Sequence, residues 1–185
     1  MIFEYILKNH GLDPKKDLTI IQNIDFGITA EAFLSGQGDY TIEFEPAAES
    51  LEMGGKGKII ASMGLESGMV PYTAFSAKKS YIEKNADTIQ KFTYAIQEGL
   101  DYTNSHSPAE IAKVIQPQFE ETDLETITKI VERYYEQDTW KENTIFEKKS
   151  FDLLQDILRQ AGELDQEVPY EKLINTEYAK EAASY

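Results

Sequence analysis

The chain contains no cysteine among its 185 residues. This removes disulfides, thiolate metal sites and cysteine nucleophiles in one step, and it leaves the compartment open, because cytoplasmic and bacterial exterior proteins can both lack cysteine. Histidine is nearly as scarce: His10 and His106 stand far apart and have no ligand-like spacing. Neither a dedicated metal site nor a Ser-His-Asp triad has a signature here, and no cofactor is expected. Positive charge is also short, with 18 Lys and Arg against 33 Asp and Glu and a formal net charge of −15. Neutralising phosphates needs clustered cations, so the composition argues against nucleic acid and against an anionic membrane surface. No apolar run approaches the length of a membrane span. The opening residues MIFEYILKNHGL lack a basic n-region and no cleavage site follows them, so they do not read as a signal peptide. The glycine-rich GGKGK at 54–58 lacks the following Ser or Thr of a phosphate loop and reads as a turn.

What the chain does hold is enough apolar material, 41% with 11% aromatic, to build a core. Residues 1–10 read as a helix stopped by Gly11, which suits the left-handed position after a helix. Thr29 reads as an N-cap for a short helix over 30–34, and a helix pattern covers 47–53. Four segments read as strands: 18–22 (LTIIQ), 39–46 (DYTIEFEP), 58–63 and 70–77 (VPYTAFSA). Strand, helix, strand, helix, strand is the doubly wound α/β pattern with parallel pairing as the default. Beyond residue 77 the pattern is helical. Ile89, Phe92, Ile96 and Leu100 share one face, Ser107-Pro108 opens another helix, and Thr122 with Glu125 reads as a capping box. Ile127, Ile130, Val131, Tyr134 and Tyr135 form the next apolar face, then Phe151, Leu154, Ile157 and Leu158 up to Gly162. Val168-Pro169 opens a last short element. Three parallel strands make a thin sheet and the helices carry several apolar stripes, so further protein or a second copy is expected to cover them.

In an open α/β sheet, ligands sit in the loops leaving the C-terminal ends of strands. Two such loops carry chemistry. Glu45, and with it Glu43, closes DYTIEFEP, where a carboxylate favours a donor-rich ligand and would repel a sulfonate or nitrate; no Arg precedes Arg133 to offset it. Asn23, Asp25 and Phe26 form the exit loop NIDFG, with short polar groups for direct contact and a ring for stacking. Tyr72 follows Pro71 at a third position. Each has a bland alternative: a surface carboxylate at a helix start, turn and cap chemistry, or a packed aromatic. Glu43 and Glu45 lie about 7 Å apart by strand geometry, but nothing else in the chain supports glycosidase chemistry.

The runs NIDFG, SGQGDYTIEFEPAAESLE and VPYTAFSAKKSYIEKNADTIQKFTYAIQEGLDY, with SPAEIAKVIQPQF and WKENTIFEKKSFDLLQDILRQAGEL after them, resemble the substrate-binding proteins of ABC importers. The group is the nitrate/sulfonate/taurine and thiamine-pyrimidine-precursor (NMT1/THI5-like) type, and the resemblance covers essentially the whole chain as the family's C-terminal portion. It implies a type II periplasmic-binding-protein-like fold that closes two lobes on a small organic solute. Residues 1–68 would be most of lobe two, 69–76 the hinge or crossover strand, and 77–185 the helical return to lobe one. It further implies an ABC permease as partner, a bacterial, extracellular or periplasmic and commonly lipid-anchored location, and no catalysis. The family's further N-terminal half, with its secretion signal and first-lobe sheet, lies outside these residues. Two other readings stand beside this one. The first is a thiamine-pyrimidine synthase-like enzyme of the same fold, which would need the histidine- and cysteine-bearing motifs. The second is a truncated, non-transporting fragment that forms a homo-oligomer or a domain swap.

Overall fold

The computed structural model describes residues 1–184, and among them it is helical, with no β-ladder. The first helices are α1 (Ile2–Asn9), α2 (Thr29–Leu34), α3 (Ala47–Met53), α4 (Met63–Glu66) and α5 (Lys79–Lys84). They are followed by α6 (Ala86–Ser105), α7 (Pro108–Ile115), α8 (Leu124–Glu136), α9 (Lys148–Ala161), α10 (Tyr170–Leu173) and α11 (Glu177–Ala182). The chain divides into two compact units. One comprises Ile6–Glu66 and Ser107–Gln137; the other comprises Met1–Tyr5, Ser67–His106 and the chain from Asp138 onward. The first therefore joins residues 107–137 to the early part of the chain.

In the first unit α7 packs against α8, and α8 against α3. Ile111 and Ala112 on α7 and Ile127 and Val131 on α8 are buried, as the spacing of the apolar face requires. Pro108 stands in the first turn of α7, and the Glu110 carboxylate accepts from the Ser107 N–H at 2.9 Å and from its hydroxyl at 2.6 Å. α8 starts one residue later than Thr122 would dictate: Asp123 is its cap, accepting from the Thr126 N–H at 2.9 Å and the Thr126 hydroxyl at 2.7 Å. A carboxylate next to the first turn satisfies two donors and gains from the helix dipole, which the Thr122/Glu125 pair would not improve on. Thr29 likewise lies inside α2 rather than capping it, with Ile28 at the cap position.

In the second unit α6 packs on α11 and α5 on α6. The pairing of α6 with α11 is fixed by Gln90 donating to the Tyr178 carbonyl at 3.1 Å and by the Tyr94 hydroxyl donating to Glu181 at 2.9 Å. Gln97, buried on α6, donates to the Glu142 carbonyl at 3.0 Å and accepts from the Thr144 N–H at 3.1 Å, so the segment after Trp140 is tied to the helix. Phe151 and Ile157 are the buried apolar residues of α9, which stops at Gly162 with φ +77°. Phe151 meets Tyr170 edge to face at 5.6 Å.

Neither the parallel sheet expected from 18–22, 39–46 and 58–63 nor the separate strand expected over 70–77 is formed among the described residues. Alternation marks which side chains share a face; it does not supply the neighbouring backbone that a strand's N–H and C=O groups need. In 39–45 the alternation persists with its sense reversed. Thr41, Glu43 and Glu45 are the half-buried set, while Tyr40, Ile42 and Phe44 are exposed. The polar set is covered because each member finds a partner, as described next. The apolar side chains of this stretch, with Ile21, Ile60 and Phe75, are exposed.

Candidate functional site

The loop ahead of α2 and the segment ahead of α3 come together in the first unit. Asp25 is extended, and a 3-10 turn over Phe26–Ile28 follows it, closed by the Ile28 N–H donating to the Asp25 carbonyl at 3.0 Å. The Phe26 ring meets Phe44 edge to face, with centroids 5.1 Å apart. Beside this ring pair, Glu43 accepts from the Thr29 hydroxyl at 2.9 Å and from Thr41 at 2.6 Å. Next to the α2 loop lies an open depression of about 500 Å³ whose lining includes Asn23, Asp25, Glu31, Ser35, Ile24 and Ile28. With Gln37 also in the lining, it combines two carboxylates, two amides and a hydroxyl with aliphatic surface.

Glu45 is committed elsewhere. One carboxylate oxygen accepts from the Glu49 N–H at 3.0 Å, closing the start of α3, and the other is bonded to the Arg133 guanidinium. Arg133 also bonds Glu49 at 2.5 Å and lies 3.5 Å from Glu52. Glu52 in turn accepts from the Ile59 N–H at 3.0 Å. One cation on α8 therefore holds three carboxylates from 45–52, and through them the ends of two extended segments. Burial opposes the Arg133 charge more than any other single influence. The hydrogen bonds to Glu49 and Glu45, with the negative charges of the same two carboxylates, overcome it and leave the guanidinium's pKa raised. The neighbouring Tyr134 hydroxyl is also pushed up, first by burial and then by the Glu45 charge.

Of the six residues picked from sequence, Asn23 and Asp25 line the depression, Phe26 stands beside Phe44 with its ring largely exposed, and Glu43 is held between two threonine hydroxyls. Glu45 is an ion-pair partner that also accepts from the Glu49 N–H in the first turn of α3. Tyr72 belongs to the other unit and is 82% exposed. The residue missed was Arg133, and a signal for it existed. It is one of two arginines in the chain and borders the apolar face of α8, where a half-buried charge needs a partner. Glu45, Glu49 and Glu52 have the four- and three-residue spacing that puts side chains on one helical face.

The NMT1/THI5 like family model matches residues 1–111. A protein of Bacillus subtilis (strain 168) named "Putative binding protein YtlA" is 44% identical over 184 residues, which is 100% of this chain and 55% of that protein. The chain thus spans about half the length of the curated relative it matches. No solved structure matches it. With more than half of its length matched by the family model, in the region that carries NIDFG and DYTIEFEP, the chain belongs to the NMT1/THI5-like family.

Proposed function

We propose that this chain is part of a solute-binding protein that captures a small organic nutrient outside the cytoplasm and hands it to an ABC permease, with no chemistry of its own. The observation that carries the reading is the depression next to α2, where Asn23 and Asp25 line about 500 Å³ together with aliphatic side chains. That volume suits a small molecule, and polar groups set among aliphatic side chains are what orient one. Asp25 and Glu31 are acceptors, so a ligand bearing N–H donors, such as an aminopyrimidine, is favoured over an alkylsulfonate or nitrate. Phe26 offers its ring to the ligand, while Glu43 and Glu45 shape the neighbouring segment. Tyr72 is assigned a ligand contact of its own. Membership of this family also admits a synthase-like enzyme, but the chain carries none of the cysteine on which that alternative depends.

Titration calorimetry with an aminopyrimidine, an alkylsulfonate and nitrate tests the proposal. The aminopyrimidine should bind, and Asp25→Asn should weaken it about tenfold or more, the range for a hydrogen bond to a charged group. Equal or tighter binding of the sulfonate or nitrate, or an Asp25→Asn variant that binds as well as the parent, would contradict it.

A further inference from the structure

We propose that Arg133 is a positioning residue for the solute site, acting through Glu45 and Glu52 rather than by touching the ligand. The effect on binding rests on the solute-binding reading above; the effect on the segments does not. Residues 39–45 and 58–61 have no ladder to hold them among the described residues, so their placement depends on side-chain ties. Four ties are visible. The Glu45 carboxylate joins the end of the first segment to Arg133 and to the α3 backbone. Glu52, 3.5 Å from Arg133, takes the Ile59 N–H of the second segment. Thr29 binds Glu43, linking the first segment to α2. Phe44 rests against Phe26, in the loop whose Asp25 lines the depression.

The cation sits where the first two of these ties meet. Its side chain is 21% exposed, and those of Glu45 and Glu49 are 9% and 4% exposed, so water screens the cluster weakly. A forked guanidinium can serve Glu45 with one nitrogen and Glu49 with the other, as the bonds from Nη1 and Nη2 show. An ammonium could hold one of them at a time. Without the fork, Glu45 is left as a partly buried carboxylate with the N–H of Glu49 alone, and the first segment, held only by the Thr29–Glu43 bond and the Phe44–Phe26 contact, loosens and can carry Phe44 away. The solute loop then loses the ring that Phe26 packs on. A site ordered for only a tenth of the time binds about tenfold more weakly.

The test is backbone ¹⁵N relaxation on the whole chain, with solute affinity measured on the same samples. In Arg133→Met, order parameters for 39–46 and 58–61 should fall from about 0.85 to below about 0.6, while those of α6 hold. Affinity for the aminopyrimidine should drop about tenfold. Arg133→Lys should give a smaller change in the same segments and partial recovery of affinity; it also decides the matter should Arg133→Met fail to fold. Unchanged order parameters in 39–46 in a folded Arg133 variant would overturn the proposal, as would loosened segments with unchanged affinity. Asp25→Asn separates the two readings. It should weaken binding without altering the relaxation of 39–46. If it leaves binding untouched, the solute site is misplaced, and the role of Arg133 is judged by the relaxation data alone.

Discussion

Two regions of this chain are held by different means. In the helices from α6 to α9, burial falls on Ile111, Ile127, Val131, Phe151 and Ile157, and the amides that are buried with them, Gln97 and Gln155, are paired with backbone groups. From Leu18 to Ile60 most large apolar side chains are outside, and the covered side chains include carboxylates and hydroxyls held together with the Arg133 guanidinium of α8. The helical region is stabilised by removing hydrocarbon from water, which is non-directional and tolerant. The earlier region depends on a few directional bonds around Arg133, and such a cluster is sensitive because deleting one member strands the rest.

The largest effect that would break this contrast is expected at Arg133. Arg133→Met should cost about 3–5 kcal/mol of stability in urea unfolding followed by circular dichroism, because two partly buried carboxylates lose their cation. Ile157→Ala, in the other unit, should cost about 2–5 kcal/mol through lost burial and a cavity. Trp140, the single tryptophan, lies in that same unit, so its fluorescence should report the Ile157 transition. If Arg133→Met were milder than a conservative core change such as Ile157→Val, the polar cluster would not be what holds the early region.

A smaller effect concerns pH. Asp123 is held below its ordinary value of 3.8 by the Thr126 hydroxyl first and the Thr126 N–H second. A carboxylate with a depressed folded pKa adds stability that is fully present above the unfolded value and disappears as pH falls through the folded one. Asp123→Asn should therefore flatten the acid limb of the stability curve below about pH 4 and leave its shape at neutral pH unchanged. An identical acid limb in the variant would show that the cap contributes nothing. The smallest change is expected at Tyr40, which is 78% exposed: Tyr40→Ser should shift stability by no more than about 0.5 kcal/mol. A larger loss would mean that the exposed apolar face is covered in solution.

Much of the helical architecture was legible from the sequence. The pattern over 47–53 is α3, the apolar faces of α8 and α9 are buried where their spacing places them, and Gly162 ends α9. Helices reveal themselves because their hydrogen bonds are internal, so periodicity and caps suffice. α11 was missed because its six residues, EYAKEA, carry too short a repeat to register. The strands failed for the opposite reason: DYTIEFEP has the right alternation, but a strand's bonds belong to a neighbour that a local pattern cannot name. The site was legible in part. NIDFG marked the loop that lines the depression, whereas the occupation of Glu45 depended on a residue 88 positions away. That distance hid what the i, i+4, i+7 spacing of Glu45, Glu49 and Glu52 offered: an acidic stripe requiring a cation.

The most direct test of the contrast is a double-mutant cycle between Glu45→Gln and Arg133→Met, measured by urea unfolding. Direct contact in a poorly screened cluster predicts a coupling of about 1–3 kcal/mol, with the double variant more stable than the sum of the single losses allows. Additive losses, within about 0.5 kcal/mol, would contradict the view that this ion pair anchors the early region.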